Sequence, residues 1–112
     1  MKAVSLFSSA GVGETYLKDI GIDVVVSAEL LDKRAQFYKH LHPNCEVIVG
    51  DISKNDTKEK ISEFITDDIK LLIATPPCQG VSSVGKNKTQ DQFIQDERNF
   101  LIFDVFYFIE KF

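Results

Sequence analysis

The chain has 112 residues, 44% of them hydrophobic, and a formal net charge of −4. That length suits one compact domain, or part of one, and is short for a catalytic domain plus a separate substrate-reading domain. The acidic balance argues against a nucleic-acid clamp acting by overall charge, since phosphate binding draws on a surplus of Lys and Arg. Any grip on nucleic acid would be local or lie elsewhere, and Lys86, Lys88 and Arg98 are the basic residues placed to supply it locally, or else they belong to an ordinary solvated loop.

The amino-terminal apolar run, Met1 to Phe7, is too short for a signal peptide, and no stretch approaches the roughly 20 apolar residues that span a bilayer. A cytoplasmic protein without a membrane partner is expected. Cys45 and Cys78 lie in unlike contexts, without the spacing of a disulfide framework or a zinc site, and read as free thiols with no metal.

Short runs rich in Val, Ile and Leu alternate with amphipathic stretches. Val4 to Phe7, Ile22 to Ala28, Glu46 to Val49 and Leu71 to Ala74 have the character of strands buried on both faces of a parallel sheet. Between them, Glu14 to Ile20 predicts a brief helix. Asp32 to Leu41 predicts another, with Ala35, Phe37, Tyr38 and Leu41 set against Lys33, Arg34 and Lys39, and Pro43 beyond its end. Thr57 to Ile65 predicts a third, with Ile61, Phe64 and Ile65 on one face and Asp56 as its cap. This order reads as α/β, a doubly wound, mostly parallel sheet with right-handed crossovers. A polar segment, Thr75 to Gln95, follows without clear period, and loops of that length are usually functional. The last stretch, Asp96 to Phe112, predicts a helix apolar nearly all round, which wants more protein around it.

Three constellations could carry chemistry. Phe7-Ser8-Ser9-Ala10-Gly11-Val12-Gly13-Glu14 follows the first strand, where small residues let backbone amides approach a ligand and a helix start favours anionic groups. A tight strand-to-helix turn uses the same residues. The dinucleotide fingerprint is absent, because it would place glycine where Tyr16 stands. Glu29 and Asp51 each close a predicted strand, at the edge where open α/β sheets bind ligands. The first suits the two hydroxyls of a ribose and the second an adenine amino group, while a turn or cap role remains open for both. Thr75-Pro76-Pro77-Cys78-Gln79-Gly80 places a thiol between stiffening prolines and a flexible glycine. A catalytic thiol needs such rigidity; the alternative is a small buried hydrophobe.

Taken together, these motifs resemble the DNA cytosine-5 methyltransferases over essentially the whole chain. Leu6 to Gly11 is similar to the cofactor loop, Ala28-Glu29-Leu30 to the ribose-binding strand end, Gly50-Asp51-Ile52 to the adenine-contacting turn, and Pro77-Cys78-Gln79 to the catalytic loop. Val81-Ser82-Ser83-Val84-Gly85-Lys86 is similar to the DNA-contacting continuation of that loop, and Asp96 to Leu101 to the start of the following helix. The resemblance implies a Rossmann-like domain that binds S-adenosylmethionine through Phe7, Ser8, Ser9, Ala10, Gly11, Val12, Gly13, Glu29, Leu30, Asp51, Ile52, Pro77 and Leu101. It implies contacts to double-stranded DNA from Gln79, Ser82, Lys86 and Arg98, and Cys78 as a nucleophile toward carbon 6 of a flipped cytosine. The setting it implies is DNA methylation in restriction-modification.

Two positions depart from the family pattern: Ser9 stands where many relatives have glycine, and Leu30 where an aromatic residue is frequent. The family's Glu-Asn-Val string, its arginine pair and its target-recognition domain have no counterpart in these residues. An amino-terminal part of the catalytic domain is therefore expected, inactive alone and covered by a complementary chain or by self-association, or else a catalytically silent cofactor binder. A nicotinamide-dependent or thiol redox protein of similar fold is the reading from another class.

Overall fold

The computed structural model describes residues 1–76 and 101–111. Four parallel strands, β1 (Lys2–Leu6), β2 (Asp23–Glu29), β3 (Glu46–Val49) and β4 (Ile69–Ala74), form one sheet in the order β3-β2-β1-β4. The chain winds outward from β1 to β3, then returns to place β4 on the other side of β1. The switch point, where open α/β sheets gather their ligands, lies between β1 and β4. The four strands match the expected ones, with β1 and β2 displaced by one or two residues at both ends and β4 beginning two residues earlier.

Helix α1 runs over Asp32–Leu41, the range that the sequence predicts. Ala35 and Tyr38 are its buried residues, whereas Phe37 faces solvent. Helix α2 is Asn55–Ser62, earlier and shorter than expected. Phe64 and Ile65 follow in tighter turns, their amides bonding to Ile61 and Ser62, and still pack on the core. Asp56 is not the cap: Lys54 holds that position without a side-chain bond, and Asp56 accepts from the Thr57 amide at 3.0 Å inside the first turn.

The expected helix over Glu14 to Ile20 is replaced by two 3-10 turns, Val12–Glu14 and Leu17–Ile20. Left-handed Gly11 and Gly21 bracket the segment, and Thr15 Oγ1 bonds the Val12 carbonyl at 2.7 Å, so regular winding has little room. Without a regular helix, the anion-favouring helix start expected there is absent.

The two faces of the sheet differ. Val4, Leu6, Val26 and Ala28 form an aliphatic face with Ile61 of α2 and Phe108 of helix α3 (Leu101–Ile109). An ion pair from Lys58 to Asp104 at 2.8 Å fastens α3 to α2. Alternate residues of the same strands, Ala3, Ser5 and Ser27, point the other way. There Tyr38 of α1 and Glu14 are buried with Ser5.

Candidate cofactor site at the carboxyl edge of the sheet

All four strands end on one edge, and a cavity of about 410 Å³ opens there. It is lined by Phe7 and Ser9 after β1, by Ala28, Glu29, Leu30, Leu31 and Arg34 around the end of β2, by Gly50, Asp51 and Ile52 after β3, and by Thr75 and Leu101. Its size falls within the roughly 300 to 1,000 Å³ of small-molecule sites.

Glu29 organises this edge. Its Oε1 accepts from the Ser9 amide at 3.1 Å and its Oε2 from the Leu31 amide at 2.7 Å. The carboxylate thus ties the turn after β1 to the entry of α1. An ionised carboxylate has about four acceptor positions, so the two bonds leave capacity on both oxygens for a pair of ligand hydroxyls.

Asp51 accepts from both the amide and the hydroxyl of Ser53, at 2.9 and 2.7 Å, with Oδ1. Those bonds hold its carboxyl below the usual carboxylate range. Asp51 therefore has a turn role, while its Oδ2 accepts no hydrogen bond among the described residues and is left open toward the cavity. Gly50 is required by packing, because a β-carbon there would sit 2.6 Å from Thr57 Oγ1. Ile52 lines the cavity from within the core cluster. Thr75 Oγ1 donates to the Phe7 carbonyl at 3.3 Å, which joins the ends of β4 and β1.

Of the expected cofactor residues, Phe7, Ser9, Glu29, Leu30, Asp51, Ile52 and Leu101 meet at this cavity. Ser8, Ala10, Gly11, Val12 and Gly13 do not line it. Ser8 spends its amide and hydroxyl on the Ala28 carbonyl, at 3.0 and 3.1 Å. Gly11 packs against α1, where a β-carbon would fall 2.6 Å from Tyr38 Cδ2. Val12 is exposed, and a β-carbon on Gly13 would meet nothing. Pro77, Cys78, Gln79, Ser82, Lys86 and Arg98 lie outside the described residues. Sequence reasoning missed Leu31 and Arg34. Both follow Glu29 closely in the chain, and the entry and first turn of α1 bring them to the cavity; that proximity to a strand-end carboxylate is the signal that could have found them.

Among the described residues, no group of three or more His, Cys, Asp or Glu is arranged to hold a metal, and no helix is long and apolar enough to cross a membrane.

The family model for C-5 cytosine-specific DNA methylases matches residues 1–112. Type II methyltransferase M1.HgaI of Avibacterium volantium is 43% identical over 109 residues, covering 96% of this chain and 30% of its own length. Type II methyltransferase M.DdeI of Desulfomicrobium norvegicum is 33% identical over 113 residues, covering 100% of this chain and 25% of its own. The chain thus spans under a third of the length of these curated relatives.

Among solved structures, a putative DNA modification methyltransferase encoded within an E. coli prophage superposes with a TM-score of 0.59 at 25% identity, over 87% of this chain and 28% of that one. A mutant of Spodoptera frugiperda DNMT2 gives 0.52 at 20% identity, over 80% and 27%, and supports the fold alone. A TehB-like SAM-dependent methyltransferase from Corynebacterium glutamicum gives 0.51 at 21% identity, over 76% of this chain and 42% of that one, and likewise supports the fold alone. By sequence along its full length, and with a parallel sheet to match, the chain belongs to the C-5 cytosine-specific DNA methylase family.

Proposed function

We propose that the cavity binds S-adenosylmethionine and that the chain supplies the cofactor site and the nucleophile of a DNA (cytosine-5-)-methyltransferase. The observation that carries this reading is the Glu29 carboxylate, fixed by two backbone amides at the cavity wall with acceptor capacity left on both oxygens. Glu29 takes the ribose hydroxyls, Asp51 the adenine amino group, and Leu30, Ile52 and Leu101 lie against the adenine. When bound, the cofactor supplies an electrophilic methyl group.

Cys78, which lies outside the described residues, adds its thiolate to carbon 6 of a cytosine flipped out of the duplex. That addition makes carbon 5 nucleophilic. After methylation, loss of the carbon-5 proton and expulsion of the thiolate restore the ring. Gln79, Ser82, Lys86 and Arg98 serve the DNA, which suits a chain whose net charge of −4 leaves only a local grip.

Cys78→Ser in the full-length protein tests the chemistry. Transfer of labelled methyl groups to DNA should be lost while S-adenosylmethionine still binds, because a hydroxyl yields too little nucleophile at neutral pH. Full activity in that variant overturns the mechanism.

A second feature concerns partners. Ile102, Phe106 and Ile109 of α3 are exposed together, and an apolar surface of that kind marks an interaction site. It favours cover by a complementary polypeptide segment or by a second copy of the chain. Sedimentation of the 112-residue chain should show association; a well-folded monomer at tens of micromolar contradicts this.

A further inference from the structure

The buried polar cluster on the α1 side of the sheet has no part in the proposed chemistry. Glu14 is 9% exposed and does not line the cavity. Its Oε1 accepts from Ser5 Oγ of β1 at 2.5 Å, and its Oε2 accepts from the Tyr38 hydroxyl of α1. Both donors are fully buried. A buried carboxylate is costly unless well bonded, and here it joins strand, turn and helix.

The turn that Glu14 closes is strained. Phe7 and Ser9, neither of them glycine, have φ of 56° and 53°, a left-handed conformation that persists only when the surroundings over-determine it. Both residues line the cavity. The restraints run from α1 into the turn: the Tyr38 ring packs against Gly11, His42 Nε2 lies 3.0 Å from the Gly11 carbonyl, and the Gly11 amide bonds the Ser8 carbonyl at 3.1 Å.

We propose that Glu14, clamped between Ser5 and Tyr38, is a positioning residue for the cofactor site: it holds the turn after β1 in the strained form that presents Phe7 and Ser9 to the cavity. The ligand side of this inference rests on the reading of the cavity as an S-adenosylmethionine site. The turn side does not.

Tyr38→Phe removes one of the two hydrogen bonds while keeping the ring. The full-length protein, Tyr38→Phe and Ile61→Val are to be compared by calorimetric titration with S-adenosylmethionine and by amide hydrogen exchange. Ile61→Val is the control, since it loosens the opposite face of the sheet by one methyl group and leaves both Glu14 hydrogen bonds intact. Tyr38→Phe should weaken binding roughly five- to tenfold, less than the full cost of a lost hydrogen bond to a charged group, because Tyr38 acts on the site only through the turn. It should also speed exchange of the Gly11 and Glu14 amides relative to those of β1. The control should hold affinity within about twofold.

Unchanged affinity in Tyr38→Phe, or an equal loss in Ile61→Val, overturns the inference. Should the unaltered protein itself bind no S-adenosylmethionine, the cavity reading fails, and the exchange comparison still decides the clamp: unaltered exchange at Gly11 and Glu14 overturns it. If Tyr38→Phe does not fold, Ser5→Ala, which removes the other bond, takes its place with the same expected outcomes.

Discussion

The two faces of the sheet are built from the same strands and perform different tasks. The face toward α2 and α3 is aliphatic, with Val4, Leu6, Val26, Ile61 and Phe108 packed together. Its contribution is burial, which has no direction. The face toward α1 holds Ser5, Ser27, Glu14 and Tyr38. Its hydrogen bonds have direction, and they fix the turn that reaches the cavity. One face therefore supplies stability and the other geometry, with the candidate site on the edge where both end.

The comparison can be broken at its strongest point first. Phe108→Ala should destabilise the protein by about 3 to 5 kcal/mol, the cost of an unfilled cavity in a well-packed core. Urea unfolding measures it, and a loss below about 1 kcal/mol, on the scale of a surface change, would remove the claim that this face carries the stability.

The polar face should respond to alkali. Burial pushes the Tyr38 hydroxyl and the Cys45 thiol above their ordinary values of 10.0 and 9.0. Both are neutral when folded and ionise more readily when unfolded. Their stabilising effect is therefore complete below those ordinary values and is lost as pH rises above them. Each titrating group can contribute up to about 1.4 kcal/mol per pH unit. Urea midpoints should fall above about pH 9, and Tyr38→Phe should flatten the fall above about pH 10; identical pH profiles for the two proteins would contradict the assignment.

The smallest effect is expected at Ser27. Its buried hydroxyl oxygen makes no hydrogen bond of regular geometry among the described residues, although it lies beside the Tyr38 hydroxyl and the Cys45 thiol. Ser27→Ala should change stability by no more than about 0.5 kcal/mol, because little bonding is lost. A large loss would show that the polar face depends on every hydroxyl, not on the Ser5–Glu14–Tyr38 link.

Much of this is legible in the sequence. The strands show as β-branched runs, and α1 is delimited by Asp32 and by Pro43 beyond its end. Glu29 and Asp51 are marked by their places at strand ends, and the structure brings both to one cavity. The turn after β1 is less legible. Its small residues suggest direct contact with a ligand, yet Ser8 and Gly11 serve β2 and α1 instead. Glu14 gives no signal of burial, since an acidic residue after Gly-Val-Gly looks like the first turn of a helix. Its partners stand 9 and 24 residues away in the chain, and only the fold brings them together. The extent of α2 differs from expectation for a related reason: Phe64 and Ile65 keep the helical apolar spacing while packing from turns.

The central claim, that the carboxyl edge is an S-adenosylmethionine site organised by Glu29, is tested most directly by calorimetric titration of S-adenosylmethionine into the full-length protein and its Glu29→Ala variant. Saturable binding to the unaltered protein is predicted, with a loss of about 1.5 to 3 kcal/mol in the variant, the scale of hydrogen bonds to a charged group. Absence of binding to the unaltered protein, or equal affinity in Glu29→Ala, would contradict the account.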